Sequence, residues 1–406
     1  MTQLTNFYEY FSPAYQEIFL KLTVGKAVAS MRFESAIKKK GDTVHRFALN
    51  LDNVRVRNVT DPYADRTIDP IADSDELLTI NYYKSAQFQL SSKDTLQAGD
   101  LHPMSYAGAK IAEKVAIAVD ADILYETLNA GFDFDTGDLT TLAANGTPIT
   151  LSSTTVPQMA QRMRAKLKYR NQQNSMNLCF VCDEYTIASI GEYLAGKQTE
   201  YSLAPFENNV VKDMKLGGAE IYASENLTAE AVLGMATTPT NGDTVVINGI
   251  TFTFVITIGT TAGNVLIGGS ADAARANLTA LINNPDVTSS TQVAVSAANQ
   301  ALLQDALQAV ATNNDTTNKM TLVARGAGRL ILTETFTDGT DTWDKNFIHC
   351  YFGKKGAIDV VMQQDVDMWT RDESKKRVTN VFVDALYGIK TFADGTKKFL
   401  DVLINA

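Results

Sequence analysis

The stretch Leu78–Leu90, LTINYYKSAQFQL, alternates between apolar and more polar side chains. Successive side chains of a β-strand point to opposite faces, so this period of two predicts a strand with one buried face. The residues on that face are Leu78, Ile80, Tyr82, Lys84, Ala86, Phe88 and Leu90.

A second alternating run lies upstream and predicts the other arm of a long β-ribbon. Phe47, Leu49 and Leu51 alternate on odd positions, whereas Val54 and Val56 alternate on even ones, as they would on either side of a β-bulge. The arms would run about 14 residues, or roughly 45 Å. Because two-stranded ribbons are marginal in water, the apolar face needs a cover. Another copy of the chain could supply it, and so could a larger sheet of the same chain.

The first 20 residues are rich in aromatic side chains, among them Phe7, Tyr8 and Phe11. Termini are usually polar and mobile, so this composition predicts an N-terminal arm that docks. The arm could dock on its own core or on a neighbouring subunit.

Two long helices and a buried strand are predicted after the ribbon. Ser105–Ala130 has helical periodicity over about 25 residues, near 38 Å at ~1.5 Å per residue. A second helix is predicted to begin near Thr155. The run MNLCFVCD reads as a buried strand, and Asp183 at its end is a suitable cap for a further helix.

The segment 237–340 differs in composition from the rest of the chain. It holds 11 charged residues among 104 and only three aromatic ones. Asn248-Gly249 predicts a hairpin, ADAARANLTALIN and AANQALLQDALQAV predict helices, and KMTLVARGAGRLILTET predicts a second strand pair. We therefore expect an inserted α+β domain.

Residues typical of catalytic or metal sites do not form a recognised pattern. Cys179 and Cys182 lie in a strand-like run, where residues three apart face opposite sides and cannot share a metal. The acidic runs at 133–138 and 338–344 fit solvated turns better than calcium loops. We expect no catalytic residues, no cofactor and no metal, and hence no enzyme.

The overall composition excludes several classes of protein. The chain has 406 residues, 45% of them hydrophobic, and a formal net charge of −10, which excludes global disorder and a surface that grips nucleic acid throughout. No apolar run is long enough to span a membrane, and MTQLTNFYEYFSP does not resemble a secretory signal.

In this order, the arm, ribbon, long helix and following β/α region resemble the major capsid proteins of tailed bacteriophages, the fold named after phage Hong Kong 97. LGGAEIYASENL resembles the turn into a strand of that family's axial domain, and Tyr387-Gly388-Ile389-Lys390 resembles its terminal strands. The resemblance implies an α+β chain divided into an N-terminal arm, an extended loop, a peripheral domain with the spine helix and first part of the axial domain, the inserted domain, and the rest of the axial and peripheral domains. The expected bounds are 1–43, 44–100, 101–236, 237–340 and 341–406.

The resemblance further implies a structural protein that assembles as hexamers and pentamers into an icosahedral shell around double-stranded DNA. Its partners would be copies of itself, a portal protein, a separate scaffolding protein and, non-specifically, the packaged DNA. The protein would reside in the virion capsid after assembly in the host cytoplasm. The alternative is a phage tail or adhesion protein whose inserted domain binds host glycans. Candidate subunit-contact residues are Phe7, Tyr8, Phe11, Val54, Val56, Arg66, Tyr82, Lys84, Phe88 and Leu90.

Overall fold

A computed structural model gives the fold of the chain and confirms the α+β class. The structure describes residues 23–33, 43–50, 54–58, 68–69, 71–91, 93, 103–171, 177–196, 206–207, 210–211, 215–216, 218–373 and 377–406.

The helices include the two long ones that the sequence predicts. The helix expected over Ser105–Ala130 ends at Tyr125 as an α-helix and continues as a 3₁₀ turn, Glu126–Asn129. The helices are α1 Gly25–Val28, α2 Pro103–Tyr125, α3 Thr155–Asn171, α4 Glu184–Gly196, α5 Ala271–Asn283 and α6 Ala297–Ala301, with a 3₁₀ turn at Thr136–Leu139 and a π-helical turn at Leu302–Ala306.

The strands fall into three larger sheets and two isolated pairs. In chain order they are β1 Thr43–Asn50, β2 Ala72–Thr79, β3 Tyr82–Ser91, β4 Asp133–Phe134, β5 Leu178–Cys182, β6 Phe206–Glu207, β7 Val210–Val211, β8 Lys215–Leu216, β9 Ala219–Ala223, β10 Thr228–Gly234, β11 Thr244–Ile247, β12 Ile250–Val255, β13 Asn264–Leu266, β14 Ala309–Asn314, β15 Lys319–Ala324, β16 Leu332–Glu334, β17 Thr342–Lys354, β18 Asp359–Glu373, β19 Val378–Lys390 and β20 Phe399–Asn405.

A nine-stranded sheet and a three-stranded sheet organise the molecule. The large sheet has the order β14-β15-β10-β17-β5-β9-β8, with β20 on the other edge of β17 and β4 beside β20. The smaller sheet is antiparallel, with the order β18-β19-β3. Helix α2 packs against the smaller sheet and buries Val115, Val119 and Ile123. Strand β5 is buried throughout because it lies inside the large sheet, as its continuous apolar run predicts.

The composition-distinct segment contains the predicted hairpin and helix. Strands β11 and β12 pair around Asn248 and Gly249, which both have positive φ angles (47° and 83°), as a two-residue hairpin of this type requires. Helix α5 covers ADAARANLTALIN, and Ser270 caps it by accepting a hydrogen bond from Ala273 N at 3.2 Å. These local signals were therefore sufficient to predict the hairpin and the helix.

Two expectations for this segment were wrong. The run KMTLVARGAGRLILTET does not form a strand pair, because β15 pairs with β10 and β14 whereas β16 pairs with β11 in another sheet. The expected helix AANQALLQDALQAV ends at Ala306 and its last residues enter β14. Strands β14 and β15 thus extend the large sheet beyond β10. The bounds 237–340 stay a prediction.

The acidic turns are solvated only in part: Asp133, Asp338 and Asp344 are exposed as expected, whereas Asp135, Asp138 and Asp341 are buried, which corrects the expectation for these three. Asp135 accepts hydrogen bonds from the backbone N–H groups of Gly137 and Asn145, and Asp138 forms a 2.6 Å ion pair with Lys166. Asp341 accepts hydrogen bonds from Ala236 N (2.8 Å) and the Thr237 hydroxyl (2.8 Å). Since Asp341 follows the segment and Ala236 precedes it, this carboxylate joins the two ends of the segment.

A buried histidine lies between carboxylates from neighbouring strands of the large sheet. His349 Nδ1 on β17 donates to Asp401 on β20 at 2.6 Å, and its Nε2 lies 3.5 Å from Glu230 on β10. Burial alone would lower the pKa of His349, but Asp401 and Glu230 outweigh it and raise the pKa to about 10.

We predict that this histidine makes the fold less stable at alkaline pH. Its contribution is complete below the usual histidine pKa of about 6.5 and is lost as the pH rises towards about 10. The melting temperature should therefore fall between about pH 7.5 and about pH 10, and fall less in His349→Gln, when both are followed by circular dichroism. Equal slopes in the two proteins would contradict the assignment.

Candidate subunit-contact surface

The β-ribbon, formed by β1 and β2, is anchored to the body of the chain at its base. Its register runs from Thr43 opposite Thr79 to Asn50 opposite Ala72. Val44 and Leu78 pack with Val361 and Phe392 in a small hydrophobic cluster. A Cβ at Gly388 would lie 2.6 Å from the Thr79 carbonyl oxygen, so only glycine allows β19 to approach the ribbon this closely.

The opposite face of the ribbon is exposed and partly apolar. Phe47 is 68% exposed and Leu77 is 44% exposed, whereas the adjacent Leu78 on the anchored face is fully buried. Phe47 lies opposite Asp75 and His45 lies opposite Leu77, so the four side chains share one face. His45 and Asp75 form a 2.6 Å contact across it. We call Phe47, Leu77, His45, Asp75 and the neighbouring Asp73 the outer ribbon face.

Beyond the paired strands, an ion pair links the two arms. Both terminal guanidinium nitrogens of Arg57 donate to the Asp69 carboxylate at 2.7 Å, and Asp69 also accepts a hydrogen bond from Arg55 N at 2.9 Å. The Arg57 hydrogen bonds lower the pKa of Asp69 to about 2. Beside this pair, Val56 and Ile68 are almost completely exposed. We call Val56, Ile68 and the Arg57–Asp69 pair the ribbon tip. The ribbon tip therefore presents apolar side chains that nothing in the described part of the chain covers.

The ribbon is shorter than the alternating pattern predicts, and its second arm is not the predicted one. Of the predicted arm Leu78–Leu90, only Leu78 and Thr79 belong to the ribbon, because the later residues form β3 and pair with β19 in another sheet. Eight residue pairs form the ladder, and residues 54–58 are not in a strand. Val54 and Val56 are exposed there, and their role as subunit contacts stays a prediction. The predicted bulge at 52–53 and the candidates Phe7, Tyr8, Phe11 and Arg66 lie outside the described residues.

The remaining candidates lie on β3, whose even-numbered face is covered by its own chain. Tyr82 stacks on Tyr387 of β19 with ring centroids 5.4 Å apart, and Lys84 pairs with Asp122 of α2 at 3.1 Å. Leu90 is buried, and Phe88 is half-buried opposite Val381. The pattern correctly predicts a covered face. The sequence left two possible covers open, another copy or the same chain. On β3 the same chain supplies the cover, because β3 belongs to the three-stranded sheet that packs on α2.

Sequence reasoning did not single out two exposed apolar side chains, Leu77 and Trp369. Leu77 breaks the alternation beside Leu78, and an apolar side chain on the polar face was a signal that could have been used. Trp369 on β18 is partly exposed, stacks on Phe382 at 4.2 Å and donates its indole N–H to Asp384 at 2.7 Å. Its partners come from sheet pairing, which the local sequence does not encode.

The described residues contain no cluster of His, Cys, Asp and Glu that could hold a metal ion. Cys179, Cys182 and Cys350 are free and buried, and burial raises the pKa of each thiol. None of the described helices is long and apolar enough to cross a membrane.

The fold of the chain as a whole is similar to that of solved phage capsid chains. A chain of mycobacterium phage Che8 is 12% identical, with 97% of this chain and 95% of that chain covered and a TM-score of 0.51. A chain from the capsid structure of cyanophage P-SCSP1u is 8% identical, with 99% and 94% covered and a TM-score of 0.51.

A chain from the mature capsid of bacteriophage PhiM1 gives the same result, with 9% identity, 98% and 91% coverage and a TM-score of 0.51. At such identities the likeness establishes the fold, and at that level it confirms the resemblance inferred from the sequence. No family model and no curated protein matches the chain.

We predict opposite effects from one substitution at two adjacent ribbon positions. Leu78→Asp places an unpaired charge in the buried cluster and should lower the free energy of unfolding by about 3 kcal/mol or more. Leu77→Asp adds the same charge on the outer face and should change it by less than about 0.5 kcal/mol. Urea denaturation of the unassembled chain measures both values. Similar losses would show that the two faces are not distinguished as described.

Proposed function

We propose that the chain is the structural subunit of a phage-type capsid, assembling as hexamers and pentamers into a closed icosahedral shell around double-stranded DNA. The main support is that the chain matches phage capsid chains over nearly its whole length and nearly theirs. A fold shared only in one domain would leave the role of the remainder open. The function follows from assembly and needs no catalytic group.

The outer ribbon face and the ribbon tip are the surfaces we assign to subunit contacts. Phe47, Leu77, Val56 and Ile68 are exposed in the isolated chain. Burying each ~100 Å² of apolar surface against a neighbour would contribute about 2.5 kcal/mol. A single contact of this kind is weak, but a closed shell repeats it at every subunit. The ribbon can therefore drive assembly without being needed for the subunit to fold.

The other proposed partners follow from the same role. A portal protein and a separate scaffolding protein would act during assembly, which we place in the host cytoplasm, and the product is the virion capsid. With a net charge of −10, the chain would contact DNA only locally and without sequence specificity. Arg164 and Lys168, both exposed on α3, are suitable positions for such contacts.

The test is whether the expressed chain forms closed shells that depend on the ribbon. Gradient sedimentation and negative-stain microscopy, with and without a phage lysate, should reveal shells for the native chain. Phe47→Asp should reduce their yield by more than about tenfold while leaving the melting temperature of the unassembled chain unchanged. Val287→Asp, at an exposed valine of the segment 237–340, is the matched control and should assemble normally.

Two outcomes would contradict the proposal. Tubes or rings in place of closed shells would favour the tail or adhesion alternative. Normal shell yield in Phe47→Asp would separate the ribbon from assembly.

A further inference from the structure

Two of the three cysteines of the chain occupy opposite positions on neighbouring strands of the large sheet. Strand β5 ends at Cys182 and pairs antiparallel with β17, which contains Cys350. The last pair of this ladder is Val181 opposite Tyr351, so the next position of the register sets Cys182 opposite Cys350. We call these two residues the thiol pair.

Both thiols of the pair belong to the same face of the sheet. Side chains two residues apart on a strand share a face, and the cross-strand pair two residues away is Phe180 opposite Phe352. These two rings pack edge to face with centroids 6.1 Å apart, and the thiol pair continues their face. The third cysteine, Cys179, lies opposite Gly353 on the other face, and its thiol donates to the Gly353 carbonyl oxygen at 3.6 Å.

The spacing of opposite residues in an antiparallel sheet suits a disulfide bond. Their Cα atoms lie about 4.5 to 5.5 Å apart, and disulfides join Cα atoms about 4.4 to 6.8 Å apart. Hydrogen-bonded and non-hydrogen-bonded pairs alternate along such a ladder. Because Lys355 N donates to Asn177 O at 3.1 Å, the alternation makes the thiol pair a non-hydrogen-bonded one, the type whose side chains approach more closely.

The thiol pair is buried, but it lies where two ladders meet. Along one edge of β17, residues up to His349 pair with β10 and residues from Tyr351 onwards pair with β5, while β20 covers the other edge. Burial raises the pKa of Cys350, and the neighbouring Cys182 raises it further. Such thiols are unreactive while the sheet is closed, so reaction requires a local opening, and the end of a ladder is where a sheet opens most easily.

We propose that Cys182 and Cys350 form a disulfide bond when the chain leaves the reducing cytoplasm, with hydrogen peroxide as the oxidant. Peroxide oxidises one thiol to a sulfenic acid and releases a water molecule, and the second thiol then attacks the sulfenic sulfur and releases another. Two thiols and one peroxide thus give one disulfide and two water molecules. The change of compartment rests on the proposed function, because a capsid subunit is made in the cytoplasm and leaves with the virion.

The bond would strengthen the attachment of β5 to the centre of the large sheet. Only four residue pairs form the ladder between β5 and β17. The chain between Cys182 and Cys350 contains α4, β10 and the whole segment 237–340, so the closed loop is long. Since a cross-link restricts the unfolded chain more when its loop is longer, oxidation should raise the melting temperature by about 5 °C.

Mass spectrometry of the unassembled chain tests the link. The folded chain is treated with peroxide, unfolded in the presence of an alkylating reagent and digested without reduction. One cross-linked peptide pair, containing Cys182 and Cys350, should appear, and Cys179 should be alkylated. Cys179→Ala is the matched control, because this thiol is equally buried on the same strand, and the variant should keep the link. Cys182→Ala and Cys350→Ala should each lose the link and the rise in melting temperature.

Three outcomes would overturn the inference. Both thiols of the pair could be alkylated after peroxide treatment, the link could involve Cys179 or a second chain, or peroxide could leave a sulfinic or sulfonic acid on one sulfur. Each would show that the two sulfurs do not meet in the folded chain.

The result is separable from the proposed function because the link is measured without assembly. Shells that form from a chain that peroxide does not link would overturn this inference and leave the capsid function standing. A chain that peroxide links, but that never forms shells, would keep the bond between Cys182 and Cys350 and remove the proposed function, together with the change of compartment that rests on it.

Discussion

The buried carboxylate of Asp122, near the end of α2, holds the central elements of the molecule together. It accepts a 2.6 Å hydrogen bond from the Tyr387 hydroxyl of β19, and Lys84 of β3 and Arg325 of the segment 237–340 lie within 3.1 and 3.7 Å. A buried charge is tolerated only when it is paired, so these three elements cannot separate without a large cost. Burial beside Asp122 also raises the pKa of Tyr387, which keeps its hydroxyl a donor.

Asp120, two residues earlier, joins two further parts of the chain on another side of the helix. It accepts hydrogen bonds from Gly25 N of α1 and from Asn226 Nδ2 at 2.7 Å, just before β10. Burial raises the pKa of Asp120, but these hydrogen bonds oppose the shift. The two carboxylates make α2 the common support of the three-stranded and the nine-stranded sheet.

The sequence predicted the features that depend on neighbouring residues. The period of two in β3, the hairpin at Asn248-Gly249 and the cap at Ser270 are local signals, and the structure contains all three. It did not predict which chain covers β3, or that β15 and β16 join different sheets, because sheet pairing is decided over long separations. The burial of Asp341 depends likewise on the distant Ala236.

In the proposed assembly, the anchoring of the ribbon would let a subunit fold alone and still offer a surface to its neighbours. Leu78 and Gly388 fix the base through contacts within the chain, so the base of the ribbon is held without a second copy. The face that carries Phe47 has no comparable cover in the described part of the chain. If that face were polar, the ribbon would keep its anchor but lose the apolar surface available for association. If its base were exposed, the ribbon would lack a fixed direction, and association would have to supply the entropy cost of ordering it.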